Sequence, residues 1–158
     1  MEHYTEFLPI SRADMEARGW DQLDFVVVGG DAYVDHPSFG TAIISRLLEA
    51  EGYKVGVLAQ PRYTDCEDFK RFGKPKYGFF IGGGNVDSMV SHYSVAKIPR
   101  AEDEYSPGGK GGARPDRSAT VYTRLAKQAY PDLPVILGGL EAVSYTHLRA
   151  HETRRHLV

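Results

Sequence analysis

Four short, continuous apolar runs set the terms on which this chain can fold. They are Phe25-Val26-Val27-Val28, Val55-Gly56-Val57-Leu58-Ala59, Tyr77-Gly78-Phe79-Phe80-Ile81 and Pro134-Val135-Ile136-Leu137. None alternates apolar with polar residues, so none presents a wet face. β-rich runs of this kind belong in strands covered on both sides, the habit of a parallel sheet. A parallel sheet needs crossover connections, and segments with helical period lie between the runs. Over 38–51, Phe39, Ala42, Ile43, Leu47 and Ala50 recur at three- and four-residue steps, with Ser38 as N-cap and Gly52 past the last turn. Over 117–129 the stripe is Tyr122, Leu125, Ala126 and Ala129, with Asp116 as cap and Pro131 as stop. Shorter helical pieces are expected at 11–18, 65–72 and 87–93. The expected class is α/β, an open parallel sheet of about four to five strands with helices on both faces.

Composition narrows the function. The 158 residues suit one domain. Nineteen Lys and Arg against 21 Asp and Glu leave a net charge of −2, which argues against a basic nucleic-acid-binding surface. No apolar run approaches the roughly 20 residues that cross a bilayer. Met1-Glu2-His3-Tyr4 lacks the basic-then-apolar pattern of a signal peptide. A cytoplasmic protein without membrane or nucleic-acid partners is therefore expected. The single cysteine, Cys66, excludes an internal disulfide and suits a reducing compartment.

Three of the four runs lead straight into glycines: Gly29-Gly30, Gly82-Gly83-Gly84 and Gly138-Gly139. A polar residue follows each, namely Asp31, Asn85 and Glu141. In a parallel sheet these turns share the carboxyl edge, where open α/β folds bind ligands. Glycine can equally serve only to relieve a tight turn, and both readings stand. The densest polar cluster runs from Gly30 to Gly40. Its Asp31, Asp35 and His36, joined by Asp87 and His92, offer a divalent-metal or acid–base site. Capping by Asp35 and Ser38 around Pro37 explains the same residues without a metal, and is preferred. A long segment, 97–116, contains Ser106-Pro107-Gly108-Gly109-Lys110-Gly111-Gly112. It is not a Walker loop, because glycine follows Lys110. Its amides with Lys110, Arg114 and Arg117 offer an anion site, against the preferred reading of a solvated lid. Gly30, Asp31, Asp35, His36, Gly83, Gly84, Asn85, Asp87, Lys110 and Glu141 are thus the ligand-binding or domain-contact candidates. No residue is assigned a catalytic role, and no metal site is assigned.

Several ordered motifs carry a family resemblance. Phe7-Leu8-Pro9-Ile10-Ser11, Gly19-Trp20-Asp21, the Gly30–Gly40 segment, Gly84-Asn85-Val86-Asp87-Ser88-Met89-Val90, Pro107-Gly108-Gly109-Lys110, Arg114-Pro115-Asp116-Arg117 and Gly138-Gly139-Leu140-Glu141-Ala142 are among them. Over about 5–142 the chain resembles the N-terminal region of YgiQ-type radical-SAM proteins. The resemblance implies a Rossmann-like domain similar to cobalamin-binding domains, followed in longer proteins by a radical-SAM barrel. There a C-x-x-x-C-x-x-C motif holds a [4Fe-4S] cluster and S-adenosylmethionine. This chain carries no such motif, so no cofactor is expected in it and its partner would be the barrel of the same protein. It also lacks the D-x-H-x-x-G motif of cobalamin binders, since Asp35 and His36 are adjacent, which argues against cobalamin.

The expected organisation is an N-terminal extension over 1–24, the Rossmann-like domain over 25–142, and a tail over 143–158. The tail, VSYTHLRAHETRRHLV, resembles translated sequencing-adapter read-through and is expected to be non-native. Two other functions fit the residues alone: a stand-alone anion- or nucleotide-binding module, and a metal-dependent hydrolase using Asp31, Asp35, His36 and His92.

One cysteine cannot replace three thiolates on a cluster. Anaerobic reconstitution of the 158-residue chain with iron and sulfide should therefore give no stoichiometric [4Fe-4S] absorbance and no S-adenosylmethionine cleavage. A cluster spectrum from the monomer would overturn this.

Overall fold

A computed structural model describes residues 7–143. The four apolar runs become four strands: β1 (Phe25–Gly29), β2 (Val55–Ala59), β3 (Gly78–Gly82) and β4 (Val135–Gly138). They form one parallel sheet in the order β2-β1-β3-β4. Helices accompany them: α1 (Arg12–Ala17), α2 (Gly40–Ala50), α3 (Ser88–His92) and α4 (Ser118–Ala129), with a further helical segment over 139–143 directly after β4. The segment expected to be helical at 65–72 tightens instead to a single 3₁₀ turn, Asp68–Lys70.

Alternation along the strands sorts the sheet's two faces. Val26 and Val28 of β1 and Phe79 and Ile81 of β3 point into the main core. There they meet Phe69, Phe72, Tyr122, Leu125 and Ala126, so α4 and the 3₁₀ turn cover this face. Phe69 lies 6.2 Å from both Phe79 and Tyr122, ring centre to ring centre. The helix 117–129 was thus placed correctly, and its stripe is buried. The opposite face carries Phe25, Val27 and Phe80, and α2 packs there against β1 and β2.

Residues 7–24 are built into this domain. Leu8, Met15 and Leu23 are buried, and the amide of Val57 donates to the Pro9 carbonyl at 2.8 Å. Ser11 and Asp14 close a capping box on α1. Arg18 pairs with Glu49 at 2.6 Å, tying α1 to α2. Residues 144–158, on which almost all of the tail expectation falls, lie outside the described part.

Three further sequence expectations change. The larger aliphatics of α2 do not face the sheet. Ala42 and Ser45 do, while Ile43 and Leu47 are exposed. Small residues let the helix approach the strands closely, and that spacing sends the bulky side chains outward. The helix also starts later than expected: Phe39, not Ser38, occupies the N-cap and no side chain caps it. Likewise β4 is not covered on both sides, since Ile136 and Leu137 are about half exposed.

The Tyr122 hydroxyl is buried with no hydrogen-bond partner among the described residues, and burial pushes its pKa far up. A buried hydroxyl without a partner is destabilising. Tyr122→Phe should therefore raise the unfolding free energy by about 1 kcal/mol. Urea denaturation checks this; a loss of stability would show that the hydroxyl is satisfied.

Candidate functional site

The strand register brings the three glycine turns to one edge. Val28 pairs with Ile81, Gly29 with Ala59 and Gly82 with Gly138, so all four chains leave the sheet on the same side. Gly30, Gly83, Gly84, Asn85 and Glu141 therefore gather there, as their positions after the strands require. Two of the turns touch. A Cβ on Gly30 would collide with the Gly83 carbonyl, and one on Gly83 would collide with the Glu141 side chain. Glycine is needed here for close approach, not only for turning.

A buried guanidinium organises this edge. Arg114, 1% exposed, arrives from the long segment between α3 and α4. Its Nη2 donates to the Asp103 carboxylate at 2.8 and 3.0 Å, and to Ser91 Oγ at 3.2 Å. Its Nη1 donates to Asp31 Oδ1 at 3.3 Å and to the Val86 carbonyl at 3.2 Å. Asp31 uses its other oxygen to accept the Asn85 amide at 2.6 Å. Turn β1, turn β3 and the long loop thus share one ion network. Gln60, at the end of β2, donates to the Gly30 carbonyl and to Ser106 Oγ, which donates to Asp103. All four strand ends are bound into the arrangement once Glu141 is included.

Glu141 follows β4 and is buried. It accepts the Ala119 amide at 2.8 Å, the Ser88 amide at 2.9 Å and Ser118 Oγ at 3.0 Å. One carboxylate therefore satisfies first-turn amides of both α3 and α4, where the helix dipoles favour negative charge. This explains why Asp116 is not the cap of α4. Asp116 instead accepts from Tyr93 Oη at 2.8 Å and lies 2.7 Å from His92 Nδ1.

The remaining candidates disperse. Asp35 pairs with Arg46 of α2. His36 Nδ1 accepts the Ser38 amide at 3.2 Å, and its ring packs on Phe39. Asp87 caps α3 through the Met89 and Val90 amides. Lys110 is exposed and its backbone bridges to Glu102. Asp31, Asp35, His36 and His92 each have a different partner and form no common centre. Among the described residues no three His, Cys, Asp or Glu side chains are grouped for a metal. Arg114, offered with Lys110 and Arg117 as the less favoured anion site, is committed to two aspartates. The long loop is likewise anchored: Asp103, Ser106 and Arg114 are all buried. Sequence reading named Arg114 only as an anion ligand and passed over Asp103, Ser106 and Gln60. Local spacing joins only Asp103 and Ser106, three residues apart; Arg114 lies 11 residues from Asp103, and Gln60 lies 46 from Ser106.

A cleft of about 210 Å³ opens at this edge between α2 and the ends of β1, β3 and β4. Asp31, Thr41, Gly84 and Asn85 line it with Ile44, Phe80 and Ile136. In this strand order the chain turns to opposite sides after β1 and β3, so the cleft lies at the switch point that α/β folds use for ligands. A wider depression of about 860 Å³ lies elsewhere, against Phe7, Leu8, Tyr33 and His36. It borders none of the glycine turns.

The model of the radical SAM N-terminal family matches residues 7–150. This chain belongs to that family. A UPF0313 protein of Clostridium botulinum (strain Loch Maree / Type A3) is 60% identical over 137 residues, covering 87% of this chain and 21% of the relative. A UPF0313 protein of Clostridium perfringens (strain SM101 / Type A) is 54% identical over 138 residues, with the same shares covered. The chain therefore spans about a fifth of the length of these curated relatives. No solved structure matches it. The resemblance read from the motifs is borne out, as is the α/β architecture it implied. Among the described residues no helix is long and apolar enough to cross a membrane.

The two aspartates on Arg114 titrate in opposite directions. Burial opposes ionisation of Asp103, but hydrogen bonds from Arg114 and the Tyr105 amide outweigh it and hold its pKa below the usual range. Burial raises Asp31 despite the Asn85 amide and Arg114. The Asp103 contribution to stability is thus complete above its unfolded pKa of about 4 and is lost as pH falls through the lowered folded value. Asp31 acts with the other sign: its folded form gains stability as pH falls through its raised value. Asp103→Asn should lower the urea midpoint at pH 7 and flatten the loss below about pH 4. Arg114→Met strands two buried carboxylates and should cost about 3–5 kcal/mol. Urea midpoints across this pH range check both; unchanged stability of Arg114→Met would refute the network's role.

Proposed function

We propose that this chain is the N-terminal domain of a cytoplasmic radical-SAM iron–sulfur protein. In this reading the carboxyl edge of its sheet meets the catalytic remainder of that protein or a ligand shared with it. The family match over residues 7–150, against relatives of which the aligned part is 21%, carries the reading. A [4Fe-4S] cluster with S-adenosylmethionine supplies radical generation in such proteins. The residues here do not fit that group: the one thiol, Cys66, is buried in the main core beside Phe69 and Phe72. The cluster ligands therefore belong to the remainder, and this domain contributes shape and contacts. A buried, unpaired thiol also suits the reducing cytoplasm.

The cleft supports a contact role over nucleotide binding. Its 210 Å³ falls below the roughly 300–1,000 Å³ of ordinary ligand pockets. Its polar groups are largely backbone, and Asp31 is already engaged by Arg114. What it offers is the exposed Asn85 side chain on the turn after β3 and the Thr41 side chain in the first turn of α2.

The test uses a full-length protein in which residues 7–142 of this chain are joined to the rest of the C. botulinum relative. Reconstituted anaerobically, it should bind a cluster and cleave S-adenosylmethionine reductively. Asn85→Ala should leave the cluster absorbance intact and lower turnover at least several-fold. Full turnover in Asn85→Ala would remove the edge from function, and absence of any cluster would refute the family-level activity.

A further inference from the structure

The helices of this domain leave one half of one sheet face bare. The β1-α2-β2 connection runs one way along the sheet and β3-α4-β4 runs the other, so right-handed crossovers put α2 and α4 on opposite faces. On this face α2 packs against β1 and β2, and only the Phe25 ring and the flank of α2 at Ile44 reach toward β3 and β4. Phe80 and Ile136 point there, and Ile136 is 47% exposed. A sheet in an α/β fold normally buries both faces.

The flank and crest of α2 extend the same apolar surface. At 100° per residue, Ile44, Leu47 and Ile43 follow one another around the helix. Ile44 lines the groove over β3 and β4, and Ile43 stands on the outer crest. They are 42%, 63% and 55% exposed. Helices with apolar residues on both sides belong to the interior of something larger. Here the inward side is Ala42 and Ser45 and the outward side is aliphatic. The pattern is two-sided by sequence and only one side is used.

We propose that this surface, Ile44, Leu47 and Ile43 of α2 with Phe80 and Ile136 of the sheet, docks a helix from the polypeptide that follows this region in the longer relatives. The helix lies beside α2, across β3 and β4. The proposal rests on the reading of the chain as an N-terminal domain. Two observations select this occupant. The relatives carry about four-fifths of their length beyond the matched part. The helical segment that begins directly after β4, at 139, places Leu140 in the lining of the groove, so the polypeptide that continues from it starts at the surface to be covered. A tethered segment also meets the groove at a high effective concentration, which a second copy does not.

Photo-activated diazirine labelling of side chains tests this in two proteins: the 158-residue chain, and the full-length protein built as above. Ile43, Leu47 and Ile136 should label in the short chain and fall at least five-fold in the full-length protein. Val95, fully exposed and remote from the groove, should label equally in both. Ile43→Lys with Leu47→Lys should restore labelling of Ile136 in the full-length protein while leaving the circular dichroism of the short chain unchanged. Equal labelling of the groove in both proteins overturns the proposal. So does protection that grows with concentration in the short chain, which would make the occupant a second copy. If the double variant misfolds, the wild-type comparison at Ile136 still decides. The readout needs no cluster, so a full-length protein that shields the groove yet never cleaves S-adenosylmethionine refutes the proposed function and leaves the docking intact.

Discussion

The domain depends on a single buried cation. Arg114 has no exposed surface to speak of, and a guanidinium in that position is tolerable only when its donors are matched. Asp103, Asp31, Ser91 and two loop carbonyls match them. Because Asp31 belongs to the turn after β1 and the carbonyls to the turn after β3, the requirement fixes both turns relative to the long loop. The pair of carboxylates carries one more charge than the cation. Burial of that excess is why Asp31 holds its proton more tightly than usual while Asp103 gives its proton up more readily.

Glu141 performs the companion task on the other side of the edge. Its carboxylate supplies the side-chain cap that α4 lacks, adds the Ser88 amide to those Asp87 already holds on α3, and is itself seated against Gly83. The three glycine turns are thus not three independent turns. Gly30 touches Gly83, Gly83 touches Glu141, and Gly84 lies against Asp31 and Arg114. Rigidity at the carboxyl edge and openness of the adjoining groove coexist because the ion network sits behind the turns while the apolar half-face lies in front. An edge bound together in this way is suited to meeting a second domain, the role we propose for it.

Much of this was legible in the chain. Continuous apolar runs without alternation gave the parallel sheet, since only doubly covered strands tolerate them. The glycines after three runs gave the shared edge, since strand direction alone determines which end they occupy. Ser11 and Asp14 were placed within a helical piece that their capping box opens. Pattern failed where packing chose between two apolar sides. In α2 the stripe of Ile43 and Leu47 has the larger aliphatics, yet Ala42 and Ser45 win the inner side because small residues permit a closer helix-to-sheet approach. Ile136 and Leu137 read as buried but are about half exposed, because a strand's own sequence does not say whether it lies at the edge of its sheet.

The sequence by itself determined strand identity, sheet direction, the location of the glycine edge and that this chain brings a single thiol. These follow from local period and composition, which need no knowledge of contacts. The tertiary structure alone decided what the polar residues do. Asp31 and Arg114 are 83 positions apart, and Ser88 and Glu141 are 53 apart. Their charges become partners only when the crossovers bring turns together. The physical reason is that burial, not residue type, makes a carboxylate an ion partner, a helix cap or a ligand.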